Sequence, residues 1–228
     1  MSGRDAREAA ALAAVAGAPV SRETLARLVA YADALRRWSQ RINLVSPATL
    51  PALWQRHVLD SAQLLPFAGG ARGWLDIGSG GGFPGAVMAI LLAERPETTV
   101  HLVESNAKKA AFLGATLADL GVAARIHRRR IEACAGEIAG ITHVSARAVA
   151  ALPDLLALTR PWLGAGARGF FHKGRDYRRE VAESAAAWTF DLVEHASKID
   201  PGGVILEVAA LRPRDDRRDE RRSRTQGP

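Results

Sequence analysis

A glycine-rich stretch, residues 78–85 with the sequence GSGGGFPG, constrains the fold of this chain more than any other feature. The preceding residues, Trp74 to Ile77, have the composition of a short buried strand, and Pro84 can begin a helix at its first turn. Each glycine costs up to about 1 kcal/mol of backbone entropy relative to alanine, and a plain turn needs only one or two. We therefore interpret the stretch as a nucleotide-type cradle at the N-terminus of a helix.

The glycine spacing leaves two ligands open. Residues 80–85 fit the pattern G-x-G-x-x-G of dinucleotide-binding folds. Residues 78–82 fit G-x-G-x-G directly after Asp76, a form typical of enzymes that use S-adenosylmethionine (AdoMet). A second predicted strand, 99–103, ends at Glu104, whose carboxylate can accept hydrogen bonds from ribose hydroxyls. Because NAD and AdoMet both carry an adenosine ribose, Glu104 supports either ligand.

The hydrophobic periodicity changes after residue 66. Before it, the pattern predicts helices over 5–16, from Ser21 onward, and over about 50–65. From Gly73 onward strands and helices alternate, which predicts a mostly parallel twisted sheet with helices on both faces. The predicted strands are 73–77, 99–103, 123–127, 142–146 and 167–172, and the predicted helices are 84–95, 106–120, 131–139, 152–160 and 176–187.

Two further strands, about 188–195 and 203–209, predict a final antiparallel hairpin. The sheet of many AdoMet methyltransferases ends in an antiparallel strand, which favours AdoMet over NAD. The expected fold is α/β and Rossmann-like with an N-terminal helical extension, and the hairpin favours that of a class I AdoMet-dependent methyltransferase over that of an NAD enzyme. We expect one domain over 1–210, divided into the extension at 1–66 and the cofactor-binding core at 67–210.

Several polar residues fall at or just beyond predicted strand ends, where ligands bind in open α/β sheets. They are Asp76, Gly78, Glu104, residues 128–132, Arg147 and Lys173. This clustering predicts one site at the carboxyl edge of the sheet. The bound nucleotide would lie against Gly78 and Gly80, with Glu104 on its ribose.

Composition limits the remaining function classes. The 228 residues carry a formal net charge of +7, which favours an anionic partner such as nucleic acid. A single cysteine excludes a disulfide framework, and the six histidines show no metal-binding spacing. We expect no metal site, no membrane span and a cytoplasmic location. Residues 211–228 hold seven arginines against four acids, which predicts a disordered basic tail.

Residues 75–85, with the sequence LDIGSGGGFPG, resemble the AdoMet motif of the bacterial 16S rRNA guanine-N7 methyltransferases, the family called RsmG and formerly GidB. The Phe-Pro-Gly ending is the distinctive part of that motif. Order and spacing agree from about residue 40 to about residue 175. Further similar pieces lie at 43–44, 56–61, 104–105, 108–109, 112–113, 130–132, 145–148 and 172–174.

The resemblance implies AdoMet as methyl donor and 16S rRNA, or the small ribosomal subunit, as partner. The AdoMet contacts that it implies are Gly78, Phe83, Glu104, Ile131, Glu132 and Arg147. The backbone at 131–132 would lie beside the adenine. The reaction would be methyl transfer to guanine N7 in a protein that we expect to be a monomer.

Guanine N7 has an in-plane lone pair and no hydrogen, so no proton must leave before attack. We therefore expect no catalytic acid or base, and we consider Arg147 and Lys173 candidates for positioning the substrate. Arg56, His57 and Asp60 lie within one helical turn, and we expect them to brace the helical segment against the cofactor loop. Two alternatives remain: an NAD-dependent oxidoreductase and a non-catalytic basic RNA-binding protein.

Overall fold

The computed structural model describes residues 3–214, with side chains from residue 6. Within this range the chain forms one seven-stranded sheet in the order β3-β2-β1-β4-β5-β7-β6. The strands are β1 (Gly73–Ile77), β2 (Thr99–Val103), β3 (Arg125–His127), β4 (His143–Arg147), β5 (Arg168–Lys173), β6 (Trp188–Ala196) and β7 (Val204–Pro213). The first five strands run parallel, whereas β7 pairs antiparallel with both β5 and β6. The mostly parallel sheet with a C-terminal hairpin is confirmed.

Helices cover both faces of the sheet. They are α1 (Gly3–Ala16), α2 (Arg22–Ser39), α3 (Asp60–Ala62), α4 (Gly85–Leu91), α5 (Ala107–Asp119), α6 (Leu152–Leu163) and α7 (Tyr177–Ser184). Side chains at the helix starts satisfy free N–H groups, as Ser21 does for Thr24 at 3.0 Å and Asn106 does for Lys108 at 3.0 Å.

Strand β1 shows how the two faces share one sheet. Its side chains alternate, so Trp74 lies in one cluster of buried residues while Leu75 and Ile77 lie in the other. The Trp74 cluster contains residues of α1, α2, α4 and α5 together with the segment 47–67. The other cluster contains α6 and the inward side chains of β7. The N-terminal helices therefore pack against the core of the sheet rather than beside it.

The helix expected over about 50–65 is wrong as a single helix. The chain forms a 3₁₀ helix (Pro47–Ala52), a π-helical turn (Trp54–Leu59), the short α3 and a second 3₁₀ helix (Leu65–Phe67). Pro51 and Pro66 lack a backbone N–H and cannot continue an α-helical ladder. The π-helical turn carries His57, and such turns occur frequently at functional sites.

Two further boundaries differ from the sequence expectation. The helix predicted over 131–139 is a 3₁₀ helix of four residues (Ile131–Cys134), because Gly136 interrupts the segment. Strand β7 continues to Pro213, with Leu211 buried, so it extends past the expected limit at 210. The rest of the expected tail, 215–228, lies outside the described residues. No helix within 3–214 combines the length and apolar character that crossing a bilayer requires.

The turn after β1 is pressed against α2. The Tyr31 hydroxyl donates to the Gly81 carbonyl oxygen at 2.7 Å, and Tyr31 is fully buried. Gly82 has φ +87°, and a Cβ atom there would overlap the Tyr31 hydroxyl oxygen and lie 2.6 Å from Ala86 Cβ. Only glycine fits this position, because both its backbone angle and its surroundings exclude a side chain.

We expect Gly82→Ala to destabilise the protein by about 2–3 kcal/mol more than Gly70→Ala, because an added methyl group in a packed site forces neighbours apart. Gly70 is the matched control, since it has φ +71° but no atom within 4 Å of the added Cβ position. Both variants carry the backbone strain, and only Gly82→Ala adds the overlap. Chemical denaturation of both variants measures the difference, and equal losses would contradict the packing explanation.

Candidate functional site

Glu104, at the carboxyl end of β2, holds the glycine turn in place. Its Oε2 accepts from the Gly80 N–H at 2.8 Å, and its Oε1 accepts from the Asn106 N–H at 2.6 Å. Only 7% of Glu104 is exposed. An ionised carboxylate offers about four acceptor positions on its two oxygens, so lone pairs remain for ligand hydroxyls. The structure thus places Glu104 beside the cradle.

Gly80 faces open space. It has φ +55°, and the nearest atom to a Cβ at this position would be the Gly78 carbonyl oxygen at 3.8 Å. Its neighbours are crowded, since a Cβ at Gly81 would lie 2.8 Å from the Leu44 carbonyl oxygen and one at Gly78 would lie 2.7 Å from Val149 Cγ2. The turn therefore leaves one face accessible at Gly80, directly beside the Glu104 carboxylate. A ribose and its attached groups fit this combination of open backbone and acceptor carboxylate.

Asp76 lies beneath the cradle and is completely buried. Its Oδ1 accepts from the Ser145 hydroxyl at 2.7 Å, and Ser145 Oγ accepts from Trp74 Nε1 at 2.9 Å. Burial raises the pKa of Asp76 to about 6, against hydrogen bonds that lower it. Since no part of the side chain is exposed, Asp76 links β1 to β4 and supports the turn from below.

Arg147, the last residue of β4, is held by three acceptors from the segment 47–67. Its Nη1 donates to Asp60 Oδ2 at 2.9 Å and to the Arg56 carbonyl oxygen at 3.0 Å, while its Nη2 donates to His57 Nδ1 at 2.6 Å. The guanidinium carbon lies 5.2 Å from the centre of the Phe83 ring, within the range of a cation–π contact. Arg147 therefore joins the helical extension, β4 and the cradle loop.

His57 is neutral in this arrangement, and its tautomer follows from its neighbours. Burial and the Arg147 cation lower the pKa of His57 to about 4. A guanidinium has only donors, so Nδ1 must be the acceptor and Nε2 must carry the hydrogen. Nε2 then donates to Thr49 Oγ1 at 2.8 Å. The imidazole also stacks on Phe83, with ring centres 4.9 Å apart.

Arg147 also lies in the wall of a cavity of about 610 Å³. This cavity lies between the segment 47–67, the carboxyl ends of β4 and β5, and the turn before β7. Its lining includes Thr49, Gln55, Arg56, His57, Asp60, Arg147, Ala148, His172, Lys173, Glu180, Asp200 and Val204. The volume falls within the range of about 300–1,000 Å³ that is usual for small-ligand sites. Arg147 thus belongs both to the wall of this cavity and to the contact with Phe83 of the cradle loop.

The structure places Lys173 on the wall of this cavity. Its Nζ donates to Glu180 Oε2 and to the Ala150 carbonyl oxygen, both at 2.7 Å, and only 8% of its side chain is exposed. Glu180 also accepts from the Leu152 N–H at 2.7 Å. These bonds fix the wall and leave at most one Lys173 hydrogen for a substrate.

Ile131 and Glu132 lie in the 3₁₀ helix that follows β3, with Ile131 half-buried and Glu132 exposed. Sequence reasoning did not single out Tyr31 or Thr49, which touch the cradle and His57 respectively. Neither residue lies in a recognisable motif, and only the tertiary packing brings them to the site. Within 3–214 no three His, Cys, Asp or Glu side chains are grouped as metal ligands.

The chain is similar in sequence to known proteins over most of its length. Residues 24–200 match the GidB family, described as rRNA small subunit methyltransferase G. A protein of Chelativorans sp. named ribosomal RNA small subunit methyltransferase G is 58% identical over 202 residues, which cover 89% of this chain and 96% of that protein. A Brucella anthropi protein of the same name is 56% identical over 193 residues, which cover 85% of this chain and 91% of that protein.

Solved structures are similar in fold alone. The O-methyltransferase TomG from Streptomyces achromogenes, in complex with SAM, aligns with a TM-score of 0.53 at 19% identity over 80% of this chain and 89% of that one. An O-methyltransferase from Bacillus cereus, in complex with SAH, aligns with a TM-score of 0.54 at 16% identity, and the alignment covers 78% of this chain and 90% of that one. The sheet order and the final hairpin agree with this class I methyltransferase fold. The chain therefore belongs to the rRNA small subunit methyltransferase G family and is a methyltransferase, not an oxidoreductase.

Proposed function

We propose that this protein transfers a methyl group from AdoMet to N7 of one guanine in 16S small-subunit rRNA. Membership of the family and the cradle at Gly80 support the donor and the substrate class. The observation that carries the proposal is the position of Arg147, which lines the cavity of about 610 Å³ and contacts the Phe83 ring of the cradle loop. A donor on one side and a base on the other would meet at Arg147 and Phe83.

The residues that would hold AdoMet are Gly78, Gly80, Phe83, Glu104, Ile131, Glu132 and Arg147. AdoMet supplies a methyl group on a positively charged sulfur. Glu104 would accept hydrogen bonds from the ribose hydroxyls while it keeps its bonds to Gly80 and Asn106. The backbone at 131–132 would border the adenine. The aromatic ring of Phe83 would exclude water from the place where the two ligands meet.

No side chain is required to remove a proton, because N7 carries none. Three of the titratable groups around the cavity agree with this chemistry, since they are already engaged, whereas the buried Nδ1 of His172 has no hydrogen-bond partner within the described residues. His57 uses both ring nitrogens, Asp60 accepts from Arg147 and Gln63, and Glu180 accepts from Lys173 and a backbone N–H. The protein would act by holding N7 in line with the methyl group, and positioning of this kind lowers barriers by up to about 7–11 kcal/mol.

Arg147 and Lys173 are the groups that we assign to substrate positioning. Arginine suits guanine, because its guanidinium can donate to O6, on the same edge of the base as N7, and leave the N7 lone pair free to attack the methyl group. Asp60, His57 and Arg56 bind the guanidinium from behind and limit the directions in which it can point. Lys173 lies across the cavity and contributes a second positive charge.

The substrate guanine must be accessible for this reaction. The deep major groove of an A-form RNA helix hides N7 from a bulky active site, so we expect the target in a loop or in a partly open ribosomal particle. The net charge of +7 would contribute affinity that falls with salt. We assign the protein to the cytoplasm and expect it to act as a monomer.

Transfer of labelled methyl from AdoMet to deproteinised 16S rRNA and to 30S particles, side by side, tests the proposal. We expect label in at least one substrate and site-specific chain cleavage after reduction and aniline treatment, which reports 7-methylguanine. Label without such cleavage would retain the methyltransferase and reject N7. The absence of label from both substrates, with AdoMet binding demonstrated, would reject small-subunit rRNA.

We expect Glu104→Gln to weaken AdoMet binding by about 10- to 100-fold, because charge-assisted hydrogen bonds are worth roughly 1.5–3 kcal/mol each. The added amide would also face the N–H group of Gly80 or Asn106. Glu97→Gln is the matched control, since Glu97 is exposed and precedes the amino end of β2. Calorimetric titration of both variants measures the affinities, and an unchanged affinity in Glu104→Gln would remove Glu104 from the site.

We expect the single-turnover rate to stay flat between about pH 6.5 and about pH 8.5, because no base in the reaction titrates there. The rate should fall as the pH drops toward about 4, where His57 becomes protonated, loses its acceptor for Arg147 and repels that cation. Rapid-quench measurements of the single-turnover rate at a series of pH values give the pH–rate profile. A rate that rises tenfold per pH unit between about pH 6.5 and about pH 8.5 would indicate a catalytic base and contradict the proposed chemistry.

A further inference from the structure

Trp38, at the C-terminal end of α2, is an exposed large aromatic side chain with 37% of its surface accessible. Val193, on the edge strand β6, is the other large hydrophobic residue with high exposure in the described chain. The Trp38 ring is not loose, because it packs on Phe112 of α5 with ring centres 5.6 Å apart. One part of the indole is therefore anchored, while another part faces solvent.

A continuous row of aromatic contacts joins Trp38 to the cradle. Phe112 also contacts Tyr31, at 5.8 Å between ring centres, and Tyr31 contacts Phe83 edge-on at 6.1 Å. Tyr31 and Trp38 are seven residues apart, so both lie on the same side of α2. The exposed indole thus lies at the outer end of a rigid row that begins at the loop holding Phe83.

Three cations lie near the Trp38–Phe112 contact along the chain. Lys108 and Lys109 lie four and three residues before Phe112, on the turn of α5 nearest its N-terminus. Arg41 follows Trp38 by three residues, and its backbone N–H donates to the Trp38 carbonyl oxygen at 2.9 Å. No ion pair joins any of these three side chains to a carboxylate in the chain as described.

A second cavity of about 330 Å³ adjoins the end of α2. It is lined by Ser39, Gln40, Arg41, Ile42, Asn43, Val45, Pro47 and Leu50. The lining mixes apolar side chains with two amides and a guanidinium. Leu44 lies between the lining residues Asn43 and Val45, and its carbonyl oxygen lies against Gly81 of the cradle.

We propose that Trp38, Arg41, Lys108 and Lys109, called here the α2–α5 surface, bind unpaired RNA nucleotides that flank the methylated guanine. A base stacks on the exposed indole, and the backbone phosphates pair with the three cations. Stacking on an aromatic side chain beside a basic track is the usual way in which proteins hold single-stranded RNA. The inference rests on the proposed function, because it names the surface through which that rRNA substrate is held.

Replacement of Trp38 tests the stacking contact. We expect Trp38→Ala to raise the KM for rRNA about tenfold, and Trp38→Phe to stay within about threefold of wild type, because phenylalanine keeps a face for stacking. AdoMet affinity should be unchanged in both variants, which separates an RNA contact from damage to the cradle. Equal effects of the two substitutions, or a loss of AdoMet affinity that accounts for the defect, would overturn the stacking contact.

The charge contact has its own readout, which does not depend on Trp38. We expect the double variant Lys108→Ala/Lys109→Ala to reduce the slope of log affinity against log salt by about 1.4, since each phosphate contact with single-stranded RNA contributes about 0.7. The matched control is Arg72→Ala/Arg125→Ala, which removes two exposed cations at the amino ends of β1 and β3. An unchanged slope, or an equal change in the control, would overturn the proposal.

Binding of a single-stranded RNA of about 12 nucleotides by the full chain keeps this test separate from the methylation assay. If wild type binds it through the α2–α5 surface but transfers no methyl group to rRNA, the proposed function fails and the surface stands. If wild type methylates rRNA and all the variants behave as wild type, the surface fails alone. A defect seen on 30S particles and absent on deproteinised RNA would indicate a contact with ribosomal protein, which also overturns the RNA assignment.

Discussion

The contact between Tyr31 and the glycine turn is the constraint on which the rest of the site depends. A hydroxyl donates to the Gly81 carbonyl oxygen, and the same ring leaves no space for a side chain at Gly82. This contact fixes the turn from the side of α2, while Asp76 and Ser145 support it from the sheet below. The open face at Gly80 is consequently the one side of the turn on which a ligand can approach. The N-terminal helices are therefore part of the site, although they contribute no residue to its open face.

Arg147 links the end of β4 to the segment 47–67 and to the Phe83 ring of the cradle loop. A guanidinium with so little exposure is costly to desolvate, and three acceptors from one short segment offset that cost. The π-helical turn at 54–59 brings the Arg56 carbonyl oxygen and the His57 ring to the same cation. Neutral His57 is essential to this balance, because a protonated imidazole would put a second positive charge against Arg147. The electrostatics of the site thus require that its histidine be an acceptor rather than an acid.

The sequence predicted the sheet well, because alternating strands and helices with buried runs leave few topologies open. It also predicted that Gly80, Glu104 and Arg147 lie at one edge of the sheet, where the carboxyl ends of parallel strands meet, and their membership of one ligand site stays a prediction. It failed over 50–65, where an amphipathic pattern favoured one helix and two internal prolines divided the segment. It gave no sign of Tyr31 or Thr49, since a single side chain in a helix or loop acquires its role only through packing.

The hydrogen-bond partners of the polar groups in the site limit which of them can recognise the substrate. In the proposed methyl transfer to N7, which needs no proton removal, a free acid or base near the methyl group would add cost without adding rate. His57, Asp60 and Glu180 are all satisfied by other groups of the protein, so they hold positions rather than exchange protons. Under this proposal, discrimination between guanines would come from shape and from contacts made away from the reacting atom. The row of aromatic rings from Phe83 to the exposed Trp38 would provide such a contact on the proposed α2–α5 surface, because it would set the distance between the reacting base and a neighbouring nucleotide.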